Sequence, residues 1–174
     1  MKTFTLCFAL VFCSLNVQAQ KFSTAIEYND YIVEQQNSIA SAMLIFNEGL
    51  NSLSATKENA MENLNGLKTA TKTGLEKVRK MSAFEGNTSL REATIDLFSF
   101  YETTFANEYA QLVDLLFKDD LNDDILAEME RLLAKITESE KVLDENFASE
   151  QKAFAVTHGF ELTTNEWQEK LNEE

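Results

Sequence analysis

The sequence predicts an all-α fold: an up-down-up-down four-helix bundle with a short C-terminal helix, behind an N-terminal signal peptide. Three observations carry this. No proline occurs in the 174 residues, so no position breaks a helix by lacking its N–H. Apolar residues recur every three to four positions over long segments, while short alternating runs are few. Joints rich in Gly, Asn, Ser, Asp and Thr divide the pattern into four segments of similar length, as an up-down bundle requires.

Residues 1–19 read as the signal peptide. Lys2 supplies the positive end, Phe4 to Leu15 an apolar run, and Val17-Gln18-Ala19 the small-residue pattern that places cleavage after Ala19. The apolar run is too short to cross ~30 Å of hydrocarbon. Both cysteines, Cys7 and Cys13, fall inside it, so the rest of the chain has no disulfide, thiolate ligand or cysteine nucleophile. Phe12 precedes Cys13 where a lipoprotein signal carries Gly or Ala, which argues against lipidation. The expected location is outside the cytoplasm: periplasm, outer surface or medium. The bundle is assigned to residues 20–160 and a tail with the short helix to residues 161–174.

The first helix is expected from about Ser23 to Asn51, with Ala25, Ile32, Ile39, Met43, Phe46 and Leu50 on one stripe. The second runs from about Thr56 to Ser82 through Ala60, Leu64, Leu67, Val78 and Met81. The heptad phase continues across the joint, so one rod of about 60 residues and ~90 Å would show the same pattern. Gly49, Asn51, Ser52, Ser54 and Thr56 favour a break, being poor interior and good cap residues. Phe84-Glu85-Gly86-Asn87 reads as a turn, and Ser89 with Glu92 as a capping box. The third helix, about Leu90 to Phe117, carries Phe98, Phe100, Tyr101, Phe105 and Tyr109. An acidic joint, residues 118–124, precedes the fourth, which carries Ile125, Met129, Leu132, Leu133, Ile136, Leu143, Phe147 and Phe154 and stops at His158-Gly159. Thr163 with Glu166 is expected to cap the last short helix, which bears Trp167 and Leu171.

Charge narrows the function classes. Fifteen basic residues face 29 acidic ones, a net charge of −14. Residues 21–89 hold 7 basic and 8 acidic groups, residues 90–174 hold 7 and 21. This balance excludes nucleic acid as a partner and disfavours anionic membranes, and no transmembrane segment is expected in the mature chain. Catalytic and cofactor motifs are missing. His158 is the single histidine and Ala155 stands three residues before it, so the Glu-x-x-His pairs of di-iron bundles cannot form. Zinc sites built from several His or Cys and covalent haem motifs fail for the same reason. Asp120-x-Asn122-x-Asp124 opens like a calcium loop, but Ile125 and Arg131 occupy the places of its glycine and bidentate glutamate. It reads instead as an acidic first turn at the positive end of a helix. No phosphate-binding glycine loop and no Ser-His-Asp arrangement appear. The expectation is no enzyme, no cofactor and no metal.

One pattern does concentrate. At the end shared by the start of the first helix and the end of the fourth, core-facing positions read Asn29 and Gln36, Thr71 and Gly74, Thr94 and Tyr101, Gln151 and His158. The opposite half reads Met43, Phe46, Leu50, Leu64, Leu67, Leu112, Leu116, Met129, Leu132 and Ile136. Two readings stand: a hydrogen-bonded polar layer that fixes register, or a polar pocket roofed by Phe160 and Trp167 that binds a small ligand through Asn29, Gln36, Tyr101, Gln151 and His158. In a haem variant of the second, Met81 and His158 ligate iron.

The segments Tyr28-Asn29-Asp30-Tyr31-Ile32-Val33, Glu34-Gln35-Gln36-Asn37, Phe98-Ser99-Phe100-Tyr101, and Tyr109 with Leu115-Leu116-Phe117 come in an order similar to that of a family of bacterial exported helical surface proteins of unknown function. The resemblance spans nearly the whole mature chain and implies export and a helical bundle. It brings no functional residues with it. The expected function is a non-enzymatic interaction or binding module with a protein or small-molecule partner.

Overall fold

The computed structural model describes residues 20–163 and is all-helical over them. The expected signal peptide, residues 1–19, and the expected helix of Thr163, Glu166, Trp167 and Leu171 fall outside the described residues apart from Thr163 itself. Five helical segments form four rods: α1 Ala25–Asn51, α2 Lys57–Arg79, α3 Ser89–Ala106 with α4 Glu108–Leu116, and α5 Asp123–His158.

The ends follow from local chemistry. Thr24 caps α1 in a full capping box: its hydroxyl accepts the Glu27 N–H at 3.1 Å and Glu27 Oε2 accepts the Thr24 N–H at 3.2 Å. The break before α2 is real, with Ser52 extended and Thr56 accepting the Asn59 N–H at 3.2 Å. Phe84 and Asn87 exchange backbone bonds of 3.1 and 2.8 Å around Glu85 (φ 49°) and Gly86 (φ 85°). Both central residues are left-handed, the demand of a type I′ turn, and Gly86 meets it without strain. α5 begins at Asn122, whose Oδ1 accepts the Ile125 N–H at 3.1 Å, with Asp123 and Asp124 in the first turn. Gly159 (φ 70°) closes it, and the Phe160 N–H returns to the Ala155 carbonyl at 3.1 Å.

Three expectations are corrected. The Ser89–Glu92 capping box does not form: Thr88 takes the cap position, Asn87 Oδ1 accepts the Ser89 N–H at 2.8 Å, and Glu92 pairs with Arg91 at 2.6 Å. α2 ends at Arg79 rather than Ser82: the Lys80 N–H turns back to the Lys77 and Val78 carbonyls, and Met81 pairs with Gln20 instead of continuing the helix. The third rod is interrupted at Asn107 (φ −111°, ψ −73°). Just before it the Thr103 hydroxyl donates to the Ser99 carbonyl of its own helix at 3.0 Å, as the Thr71 and Thr94 hydroxyls do in unbroken helices. The interruption resets the face of α4, so Val113 and Leu115 are buried while Leu112 and Leu116 are only partly covered.

α1 packs along α2, α2 along α3 and α4, and α3 along α5, whereas α1 meets α5 only sparingly. Ile32, Leu64, Leu67, Leu75, Val78 and Phe98 form the fully enclosed centre. Burying a Leu, Ile, Val or Phe contributes about 1.5–3 kcal/mol each.

Candidate functional site

The start of α1 and the end of α5 do meet, through one polar contact and a cluster of rings. Gln151 Nε2 donates to Asn29 Oδ1 at 2.9 Å, and Asn29 is 6 % exposed. Below this bond Tyr28 packs against Phe22, Phe84 and Phe154 with ring centroids 5.0, 5.5 and 5.3 Å away. His158 lies edge-on to Phe84 at 5.1 Å and beside Phe154 at 4.5 Å. Its Nδ1 is 3.6 Å from Glu85 Oε2. Phe160 folds back onto Phe154 at 6.1 Å, the return expected of it, while Trp167 lies outside the described residues.

The remaining polar positions serve their own helices. The hydroxyls of Thr71 and Thr94, both fully buried, donate to the Leu67 and Leu90 carbonyls at 2.9 and 2.7 Å. Gln36 is half-buried and its amide makes no hydrogen bond among the described residues. Its neighbour Gln35 is the enclosed one, 2 % exposed, donating to the Tyr31 carbonyl at 3.0 Å. The cause is α2: Gly74 lets the two helices approach until a Cβ there would stand 3.4 Å from Gln35 Cβ, so the α2 side of α1 is covered more closely than the stripe. Met81 is buried in the core, and its carbonyl accepts the Arg91 guanidinium at 2.8 Å.

Tyr101 belongs to a different group. It stacks on Phe105 at 5.5 Å, and Phe105 contacts Tyr109 at 5.0 Å. The Glu140 and Asp144 carboxyls lie on the side of the Tyr101 hydroxyl and act on it. Burial raises the Tyr101 phenol far above its usual range, and Glu140 and Asp144 add to this. Tyr109 is pushed up to about 12 by burial and by Glu140. Burial raises Glu140, the nearby Tyr101 hydroxyl opposes this, and Asp144 raises it further. Asp144 is raised by burial and by Glu145. A sequence signal did exist for this group: Glu140 falls in the heptad series Leu133, Glu140, Phe147, Phe154.

The five expected ligand residues thus divide. Asn29 and Gln151 bond each other, His158 sits a turn or two beyond among aromatic rings, Tyr101 faces Glu140, and Gln36 stands apart. Two buried atoms at this end have no hydrogen-bond partner among the described residues, Tyr28 Oη and His158 Nε2. Next to them opens a cleft of about 280 Å³, lined by Lys21, Phe22, Ser23, Ser82, Ala83, Phe84 and Glu85. Among the described residues no group of three or more His, Cys, Asp or Glu side chains could hold a metal ion, and no helix is long and apolar enough to cross a membrane. The arrangement defines an all-helical protein with a polar clamp and an aromatic end. No protein-family model matches the chain, and no curated protein or solved structure is similar to it.

Proposed function

We propose that the protein is an exported, non-enzymatic interaction module of the bacterial envelope or surface, built as an up-down-up-down bundle behind a cleaved leader. The observation that carries this is the sparsely closed side between α1 and α5. Gln151, which bonds α1, lies 18 residues after Leu133, five whole helical turns, so the two share one face of α5. Leu126 lies within about 20° of that face. Beyond the clamp these leucines stay 48 % and 46 % exposed, apolar groups turned toward a neighbour that α1 does not supply there. The acidic second half keeps such a surface soluble, and the resemblance to exported surface proteins agrees with the address.

Native mass spectrometry of protein purified from its own host tests the reading. A partner complex is expected, lost on Leu126→Glu/Leu133→Glu while the thermal midpoint is kept. Free monomer from wild type overturns it.

A second reading, a small-ligand binder at the aromatic end, is favoured by the unpartnered Tyr28 Oη and His158 Nε2 beside the cleft. The same spectrum distinguishes it by a bound small mass, and a Soret band would identify the haem form.

A further inference from the structure

Removal of the leader after Ala19 makes Gln20 the first residue, and the structure shows what that residue does. Its N–H donates to the Lys80 carbonyl at 3.4 Å, and its carbonyl accepts the Ser82 hydroxyl at 3.0 Å. Gln20 and Met81 pair as a short parallel bridge at the end of α2. The Gln20 residue is otherwise exposed, so its side chain is free to turn back on its own backbone nitrogen.

We propose that Gln20 is a modification site: the mature chain begins with a pyroglutamyl residue. In this step the α-amine nitrogen attacks the side-chain amide carbon. A carbon–nitrogen bond forms in a five-membered lactam, the bond to the amide nitrogen breaks, and that nitrogen takes up the amine's proton and leaves as ammonia. No oxidant or further reactant is needed.

The Lys80 carbonyl accepts the N–H of residue 20, a bond that the lactam nitrogen keeps. One feature of the site favours the lactam over a free ammonium. The last turns of α2 already carry Lys77, Arg79 and Lys80, and Lys21 follows directly. The negative end of a helix welcomes one cation; a further ammonium among four basic side chains meets repulsion that the neutral ring removes.

The proposal rests on the export reading of residues 1–19, and mass spectrometry separates the two. The full chain is produced in an exporting bacterial host, recovered from outside the cytoplasm and held at neutral pH, and its N-terminal peptide is sequenced by fragmentation. The expected peptide begins at residue 20, is lighter by one ammonia than the free-amine form, resists amine labelling, and is opened by pyroglutamyl aminopeptidase. A peptide beginning at residue 20 with a free amine overturns the lactam and leaves the export reading intact. A chain beginning elsewhere overturns both. The Gln20→Asn variant, one methylene too short to close the five-membered ring, should be processed at the same bond and stay fully reactive to amine labelling. A blocked terminus in that variant also overturns the proposal.

Discussion

The Asn29–Gln151 bond is the one described hydrogen bond that ties α1 to α5, and its two sides are unequal. Asn29 is enclosed, whereas Gln151 is half-buried and can turn its amide to water. Asn29→Ala loses the bond to Gln151 and a second, 3.3 Å bond from Asn29 Nδ2 to the Asp30 carboxylate, both partners being able to rehydrate, a cost of about 1–3 kcal/mol. Gln151→Ala leaves the enclosed Asn29 Oδ1 without a donor, a desolvation cost of about 1–3 kcal/mol. With Asn29 already replaced by Ala, Gln151→Ala should cost almost nothing, so the coupling is the whole Gln151→Ala cost, about 1–3 kcal/mol. Gln36→Leu, at a half-buried position without a bond, should stay within about 0.5 kcal/mol of wild type. Urea unfolding followed by helical circular dichroism reads all four variants, provided the denaturant slope is unchanged. Additive effects at Asn29 and Gln151 would refute the clamp.

Tyr28→Phe removes an enclosed hydroxyl that has no described partner, so stability should rise by about 1 kcal/mol; a loss of that size would show that the hydroxyl is bonded to water or ligand. Glu140 titrates above its ordinary 4.5 and Asp144 above 3.8. Their protonated forms suit the fold, so their contribution is complete below those values and is lost as pH rises through the raised ones. Glu108, lowered by its bond to Lys135, works in the opposite sense, losing its contribution as pH falls. The difference between wild type and Glu140→Gln isolates the first effect: the variant should be the more stable at pH 7 and the two should converge near pH 4, and parallel profiles would count against it. Gly66 lies inside α2 with nothing within 4 Å of an added Cβ, so Gly66→Ala should raise the thermal midpoint, a gain of about 0.5–1 kcal/mol.

Much of the helix layout was legible because its signals are local. The break between α1 and α2 was written in Gly49, Asn51, Ser52, Ser54 and Thr56, and the end of α5 in Gly159. The interruption at Asn107 was not, since Thr103, Thr104 and Asn107 are ordinary enough in a helix. The clamp was half legible. Asn29 and Gln151 were chosen from their stripes and do meet, but the stripe pointed to Gln36 where the close approach of α2 at Gly74 encloses Gln35. Tyr101 was placed at the polar end by periodicity alone, and its true neighbours, Glu140 and Asp144, went unremarked because carboxylates on an acidic helix look like solvent-facing charge.

The sparse meeting of α1 and α5 also bears on how the chain reaches this state. The extensive helix contacts join neighbours in the chain, and such local pairings form early because little loop entropy opposes them. Gln151 and Asn29 are 122 residues apart, so their contact closes a loop that spans most of the described residues. Docking of α5 onto α1 is then the last step in folding and the first undone. Substitutions at the clamp should move the unfolding arm of a chevron plot and leave the folding arm nearly still.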